Sequence, residues 1–275
     1  MTARGTALVG MAGWVYPAWR GPFYPQGLVQ KSELAYASSH VTSIELNGSF
    51  YSLQKPTSWQ NWRDGTPQDF VFSVKAPRFI THIRRLDDVH EPLANFFASG
   101  ILSLGAKLGS ILWQLPPSLD FEPYLIERFL EQLPHTTTDA VELALQRGDR
   151  MRGKEWLETD AERPVRHAIE VRHHSFDRED FIALLAKYKV AAVLGDTGGK
   201  WPYIDRATTD FRYVRLHADT AVYEGGFYDE NDIARWATTI KGWLDEGQDA
   251  YVYFDNDSKV RAPIDAMSLI EELRA

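Results

Sequence analysis

The chain predicts a single-domain (β/α)8 TIM barrel, an α/β fold, and three observations carry that expectation. Eight short β-branched or aromatic runs recur along it, helical periodicity or turn residues separate most of them, and 275 residues match one barrel domain of typically ~250. Strand-helix alternation of this kind argues for a parallel sheet. An open doubly wound sheet fits less well, because no Gly-x-Gly-x-x-Gly turn follows a strand.

Residues 7–11 form the first expected strand. Its apolar stretch is too short, and too broken by Gly10 and Gly13, to serve as a secretory signal. A helix is expected over 31–38, then a strand over 43–47 and a helix over 58–63. The strand at 70–75 leads to a helix over 91–104, and the strand at 110–114 to a helix over 122–132. The interval 134–164, charged and helical around 139–146, is an insertion between the fourth helix and the fifth strand. That connection belongs to the N-terminal face of a barrel, so stability or a partner surface is expected there rather than catalysis. Strands over 167–172 and 191–196 flank a helix over 178–187. The strand at 213–217, the helix over 230–245, the strand at 250–255 and the helix over 264–273 complete the circuit.

Composition narrows the function classes. With 44% hydrophobic and 13% aromatic residues, the chain can bury roughly three quarters of its unfolded surface. The absence of cysteine removes disulfides, thiolate metal sites and cysteine nucleophiles and agrees with a cytoplasmic location. No run approaches the ~18 apolar residues of a membrane span. A formal charge of −8 disfavours nonspecific adhesion to DNA or anionic lipid. There is no Gly-x-Ser-x-Gly elbow, Walker loop or His-Glu-x-x-His, so serine hydrolase, P-loop and zincin chemistries lose their usual support.

The expected strands end in polar residues: Glu45 and Asn47, Lys75, Gln114, Glu170 and Arg172, Asp196, Arg215 and His217, then Asp255. Strand side chains alternate with period two. Glu45/Asn47, Glu170/Arg172 and Arg215/His217 therefore share the axial face, while Ile44/Leu46, Ile169/Val171 and Val214/Leu216 face the helices. A barrel places its chemistry at the C-terminal ends of its strands, where these polar residues fall. The alternative is a structural ion-pair layer. Burying ions is a poor route to stability, so a ligand-binding role explains so many charges better.

Four acids (Glu45, Glu170, Asp196, Asp255) meet three fixed cations (Lys75, Arg172, Arg215), with His217 able to switch. This near-neutral pocket suits a small polyhydroxylated or anionic ligand held by Lys75, Arg172 and Arg215, which also stabilise developing charge; the catalytic set is Glu45 and Glu170 as proton carriers, His217 as a proton shuttle, and Lys75. No cofactor is predicted. A divalent metal on Glu170, Asp196, His217 and Asp255 is the lesser alternative, because neighbouring cations compete for the same carboxylates. Trp14, Tyr16 and Trp19, with Phe50 and Tyr51, offer a stacking platform, and Asn47 and Gln114 can read hydroxyls or amides. The stretch from Lys75 through Arg78 and His82 to Arg85 reads as an anion-binding loop, with pairing to Asp87, Asp88 and Glu91 as its bland counterpart. Nucleic acid is a second, less favoured partner for that loop, with metal-dependent phosphodiester cleavage as its chemistry. A noncatalytic ligand-binding barrel is the third reading. Of His173 and His174, adjacent in sequence, at most one can face the pocket.

These residues also resemble the YecE-like family, a domain of unknown function numbered seventy-two, and the match runs along nearly the whole chain. Gly10-Met11-Ala12-Gly13-Trp14-Val15-Tyr16 with Trp19 resembles the family's Gly-x-x-Gly-Trp-x-Tyr-x-x-Trp opening. Glu45-Leu46-Asn47-Gly48-Ser49-Phe50-Tyr51 resembles its Glu-x-Asn-x-Ser/Thr-Phe-Tyr motif. Further likenesses are Phe72-Ser73-Val74-Lys75 with Thr81-His82, Gln114-Leu115-Pro116-Pro117, Glu170-Val171-Arg172-His173-His174-Ser175-Phe176, Tyr213-Val214-Arg215-Leu216-His217 and Tyr253-Phe254-Asp255-Asn256-Asp257. Met11 stands where the family often has a small or polar residue, and Ala218 where it commonly has glycine. The resemblance implies a TIM barrel, brings Asn256 among the candidate ligand contacts, and carries no established activity. Function rests on the site itself.

Overall fold

A computed structural model describes residues 3–218, 228–256 and 260–275, so Asp257 of the last matching motif lies outside the described residues. Eight parallel strands close into a barrel in sequence order. They are β1 (Ala7–Ala12), β2 (Ser43–Leu46), β3 (Val71–Lys75), β4 (Leu108–Gln114), β5 (Arg166–Glu170), β6 (Ala191–Asp196), β7 (Phe211–Leu216) and β8 (Asp249–Phe254). The seam is closed by β1 pairing with β8, Ala7 opposite Ala250 and Met11 opposite Phe254. Asn47, Arg172, His217 and Asp255 each lie just past a strand end, where the chain turns over the barrel mouth.

The outer helices are α1 (Glu33–Ser38), α2 (Pro56–Asp64), α3 (His90–Ala98), α4 (Pro123–Leu130), α5 (Thr137–Leu145), α6 (Glu179–Lys187), α7 (Glu230–Asp245) and α8 (Arg261–Arg274). Local chemistry sets their starts. Pro56 opens α2 at a position whose N–H needs no partner, and Asp229 caps α7 in a reciprocal box with Asp232. The helix expected over 91–104 is interrupted. Gly100 takes φ +108°, and a Cβ there would lie 2.6 Å from Pro56 Cα. Close approach of α2 thus demands glycine, and the chain resumes as a tighter turn over Ile101–Lys107.

Burial follows the alternation. Ile44, Leu46, Ile169, Val171, Val214 and Leu216 join the layer between strands and helices, while Leu112, Ala168, Val193, Tyr213, Tyr251 and Tyr253 fill the barrel interior. The interior is partly polar. Tyr253 Oη lies 2.6 Å from Ser43 Oγ and donates to Ser73 Oγ at 2.8 Å, so its hydroxyl is satisfied where water is excluded.

The insertion begins and ends beside the start of β5, where the Val165 N–H donates to His135 O at 2.9 Å. Its middle departs from the expected N-terminal position. Helix α5 packs along α3 until Gln146 Oε1 meets His90 Nε2 at 2.8 Å. Residues 150–155 thereby reach the flank of the mouth, with the Arg150 guanidinium 6.0 Å from the centre of the Phe79 ring.

Candidate functional site

Arg215 is the centre of the site. Carried inward by β7 and fully buried, it spends its guanidinium on three carboxylates from three other strands. Nε and Nη2 donate to Glu45 Oε2 and Oε1 at 3.1 and 3.0 Å, Nη1 to Glu170 Oε2 at 2.7 Å, and Nη2 to Asp255 Oδ2 at 2.7 Å. Tyr213, two residues earlier on the same face, donates its hydroxyl to Glu45 Oε2 at 2.8 Å. Arg172 Nε donates to the other oxygen of Glu170 at 2.7 Å. This is the ion-pair layer foreseen as the alternative reading, and it accounts for five of the expected residues: Glu45, Glu170, Arg172, Arg215 and Asp255. Burial pushes the Glu170 carboxyl up, yet Arg215, Arg172, His217 and Lys75 together hold it well below the usual range, so it stays ionised. Glu170 is thus unsuited to delivering a proton near neutral pH.

Above that layer lies a cavity of about 960 Å³. Trp14, Tyr16, Asn47, Tyr51, Lys75, Arg78, His82, Gln114, Arg172, His217 and Asp255 line it. Fourteen of the sixteen expected residues thus sit in its wall or in the layer beneath. Two do not. Asp196 accepts from Tyr228 Oη at 3.1 Å, and Asn256 Nδ2 donates to Asp265 Oδ2 at 2.7 Å on α8. Both satisfy helix-side partners instead of facing the mouth.

The cavity wall holds polar groups without partners. The Lys75 ammonium, at the end of β3, makes no hydrogen bond or ion pair among the described residues. Its one close neighbour of note is the Phe50 ring, 4.4 Å from Nζ to centroid. Burial and then the charge of Arg215 push its pKa down to about 8, although Glu45, Glu170 and Asp255 pull the other way. Arg78 likewise makes no ion pair among the described residues. Asn47 Oδ1 and His217 Nε2 are buried with no hydrogen bond among the described residues. His217 Nδ1 lies 3.3 Å from Asp255 Oδ2, an arrangement that favours the tautomer with its lone pair on Nε2. Burial, then Arg215, depress its pKa to about 4, and burial, then Lys75, do the same to His82. Both imidazoles are neutral at pH 7.

The rest of the basic loop is occupied elsewhere. Arg84 pairs with Asp88, and Arg85 donates to Ser118 Oγ and O at 2.9 and 2.7 Å. His173 turns to Asp120 Oδ1 at 3.3 Å. Among the described residues no group of three His, Asp or Glu is placed to hold a metal ion, and none of the helices is long and apolar enough to cross a membrane.

Sequence reasoning missed three contributors. Trp201 lies under the Arg172 guanidinium at 3.8 Å and edge-on to His217. Its place in the glycine-rich turn after β6, where βα loops shape a barrel mouth, was the available signal. Tyr213 follows from the period-two step that places Arg215. Trp62, on α2, meets Trp14 edge-to-face at 5.8 Å, and nothing local to it marks a site. The Gly-x-x-Gly opening has a steric basis: a Cβ on Gly10 would lie 1.7 Å from Ser43 O, and Gly13, at φ +89°, turns Trp14 over the cavity. Beside the mouth runs a groove of about 1180 Å³ that shares Phe50, Tyr51 and Arg78 with it and is walled on the far side by residues 150–155.

Comparison with known proteins agrees with this architecture. The model of a family described as "Protein of unknown function DUF72" matches residues 8–275. The UPF0759 protein YecE of Escherichia coli K12 is 30% identical over 206 residues, 69% of this chain and 70% of that protein. The UPF0759 protein YunF of Bacillus subtilis is 30% identical over 117 residues, 41% of this chain and 40% of that one. Crystal structures of DUF72 family proteins share the fold. That from Thermotoga maritima superposes with TM-score 0.77 at 24% identity over 98% of this chain and all of the other. That from Enterococcus faecalis gives 0.73 at 14% identity over 98% of this chain and 96% of the other. A match of the family model from the first strand to the last helix, on a closed barrel of the same form, places this chain in the DUF72 family.

Proposed function

We propose that the barrel mouth binds a small polyhydroxylated anion, carrying a phosphate or carboxylate, and performs acid/base chemistry on it. One observation carries the reading: three carboxylates converge beside Lys75, all are taken by Arg215, and the Lys75 ammonium is left without an acceptor among the described residues. An unpaired ammonium in a shielded cavity is costly unless something arriving from outside completes it. Arg78, which makes no ion pair among the described residues, supplies a second cation, and Asn47 and Gln114 supply amides for hydroxyls. Trp14 and Tyr16 give a flat apolar wall of the kind sugar faces prefer. Glu45 and Glu170 hold Arg215. Proton movement falls to Lys75 and to His217, whose Nε2 lone pair is open.

A thermal-shift screen of sugar phosphates, hydroxy acids and neutral sugars tests this. A true ligand at a hundred times its Kd adds about 2.7 kcal/mol to stability, read as a rise of several degrees. Anionic members should stabilise the native chain and leave Lys75→Met unmoved. Stabilisation by neutral sugars alone, or equal shifts in both proteins, would overturn the reading. Turnover of any ligand found, followed by product analysis, separates an enzyme from a barrel that only binds.

A further inference from the structure

We infer that Lys75 is a covalent nucleophile whose partner is a small anionic aldehyde or ketone, captured as an imine. The inference rests on the proposed anion site and names its substrate class. Three features of the geometry carry it. The Lys75 amine opens into the cavity, its nitrogen 4.4 Å from the centre of the Phe50 ring and free of acceptors among the described residues. A lysine clamped by a carboxylate cannot attack, and here Arg215 keeps Glu45, Glu170 and Asp255 occupied. The same carboxylates remain close enough to stabilise a cation at the lysine nitrogen, which an iminium retains. Desolvation beside another cation is the standard means of activating an amine, and Lys75 meets both conditions.

The step balances without an outside oxidant or reductant. The neutral amine forms a bond from its nitrogen to the carbonyl carbon, and the carbonyl oxygen takes a proton to give a carbinolamine. The proton the oxygen takes is one of the two on the amine nitrogen; the C–O bond then breaks, the oxygen leaves as water with a second proton drawn from solvent, and the nitrogen lone pair closes C=N, so that the nitrogen becomes positively charged. His82 and His217, both neutral and both lining the cavity, relay protons between nitrogen, oxygen and solvent and hold none of their own to deliver. Arg78 and the outer nitrogens of Arg172 hold the anionic end.

The test traps the imine in the full-length protein at neutral pH. Pyruvate or glycolaldehyde phosphate is added with cyanoborohydride, and intact mass and peptide maps are recorded. The expected result is one added probe less one oxygen, located on Lys75. Relative to a surface lysine, a pKa near 8 raises the neutral amine fraction at pH 7 more than a hundredfold, so Lys75 should label first. Lys75→Arg should keep the charge and lose that adduct, and because the map on the native chain stands alone, a poorly folded variant leaves the test intact. Labelling spread over surface lysines, with the same anions still giving a thermal shift, would overturn the imine and leave the anion site standing. No adduct together with no thermal shift from any anion would remove both.

Discussion

Lys75, half-buried in the cavity wall, and Arg215, fully buried beneath it, are two cations with opposite fates, and substitution should tell them apart. Arg215 pairs with three carboxylates, so Arg215→Met leaves Glu45 and Asp255 without their arginine and Glu170 with Arg172 alone, and should cost about 3–5 kcal/mol in chemical denaturation. Lys75 has no such partner among the described residues. Below pH 8 the folded chain carries a desolvated ammonium that the unfolded chain keeps in water, a penalty relieved as pH rises from about 8 toward 10.5. Lys75→Met should therefore raise stability at pH 7 by about 1–3 kcal/mol while abolishing anion binding. The histidines make a separate prediction. His82 and His217, near 4, and His167, near 3 and enclosed between Trp113 Nε1 and Pro134 O, all lie below the ordinary 6.5. The unfolded chain takes up protons first, so stability present above pH 6.5 is lost as pH falls toward 4. Ring proton shifts of these three should stay flat from pH 8 to 5 in NMR, and a titration midpoint near 6.5 would contradict their burial. At this scale the sequence was informative wherever period two applied, which is why Glu45, Glu170 and Arg215 were legible. It said little about Asp196 and Asn256, because Tyr228, which binds the first, comes from beyond β7, and Asp265, which binds the second, comes from the helix that follows.

The loops after the strands turn these residues into a site, and the one after β7 shows strain. Ala218, directly after His217, takes φ +59° in the left-handed region, where a Cβ costs about 1–2 kcal/mol. Its N–H is held by Tyr228 Oη at 2.9 Å. Ala218→Gly should raise stability by about 1 kcal/mol in thermal unfolding, and a loss would show that the methyl contact outweighs the strain. The departure from glycine that the sequence displayed is thus a backbone matter. Elements with strong periodicity were legible to within a few residues. The break at Gly100 was not, because it comes from the approach of Pro56 on another helix. The path of the insertion was missed for a similar reason: its charged, weakly periodic sequence conceals how α5 runs along α3.

Across the whole molecule, the barrel separates two tasks. Helices and outward strand faces bury the apolar layer, while the interior carries an ordered stack from Tyr253 and its serines, through the Arg215 ion layer, to the cavity where the Lys75 ammonium and His217 Nε2 have no hydrogen-bond partner among the described residues. The fold was readable from strand recurrence and length, since closure needs only eight units of matching pattern. Which charges satisfy each other inside was not, since sequence places side chains on a face without assigning partners. The account stands on Lys75 meeting its counter-ion in the ligand. A crystal structure with the best anion from the screen measures that directly. It should place an anionic oxygen about 2.7–3.2 Å from Lys75 Nζ, with Arg78 close by and Glu45, Glu170 and Asp255 still on Arg215. An anion bound away from the mouth, or Lys75 closed onto one of those carboxylates, would contradict it.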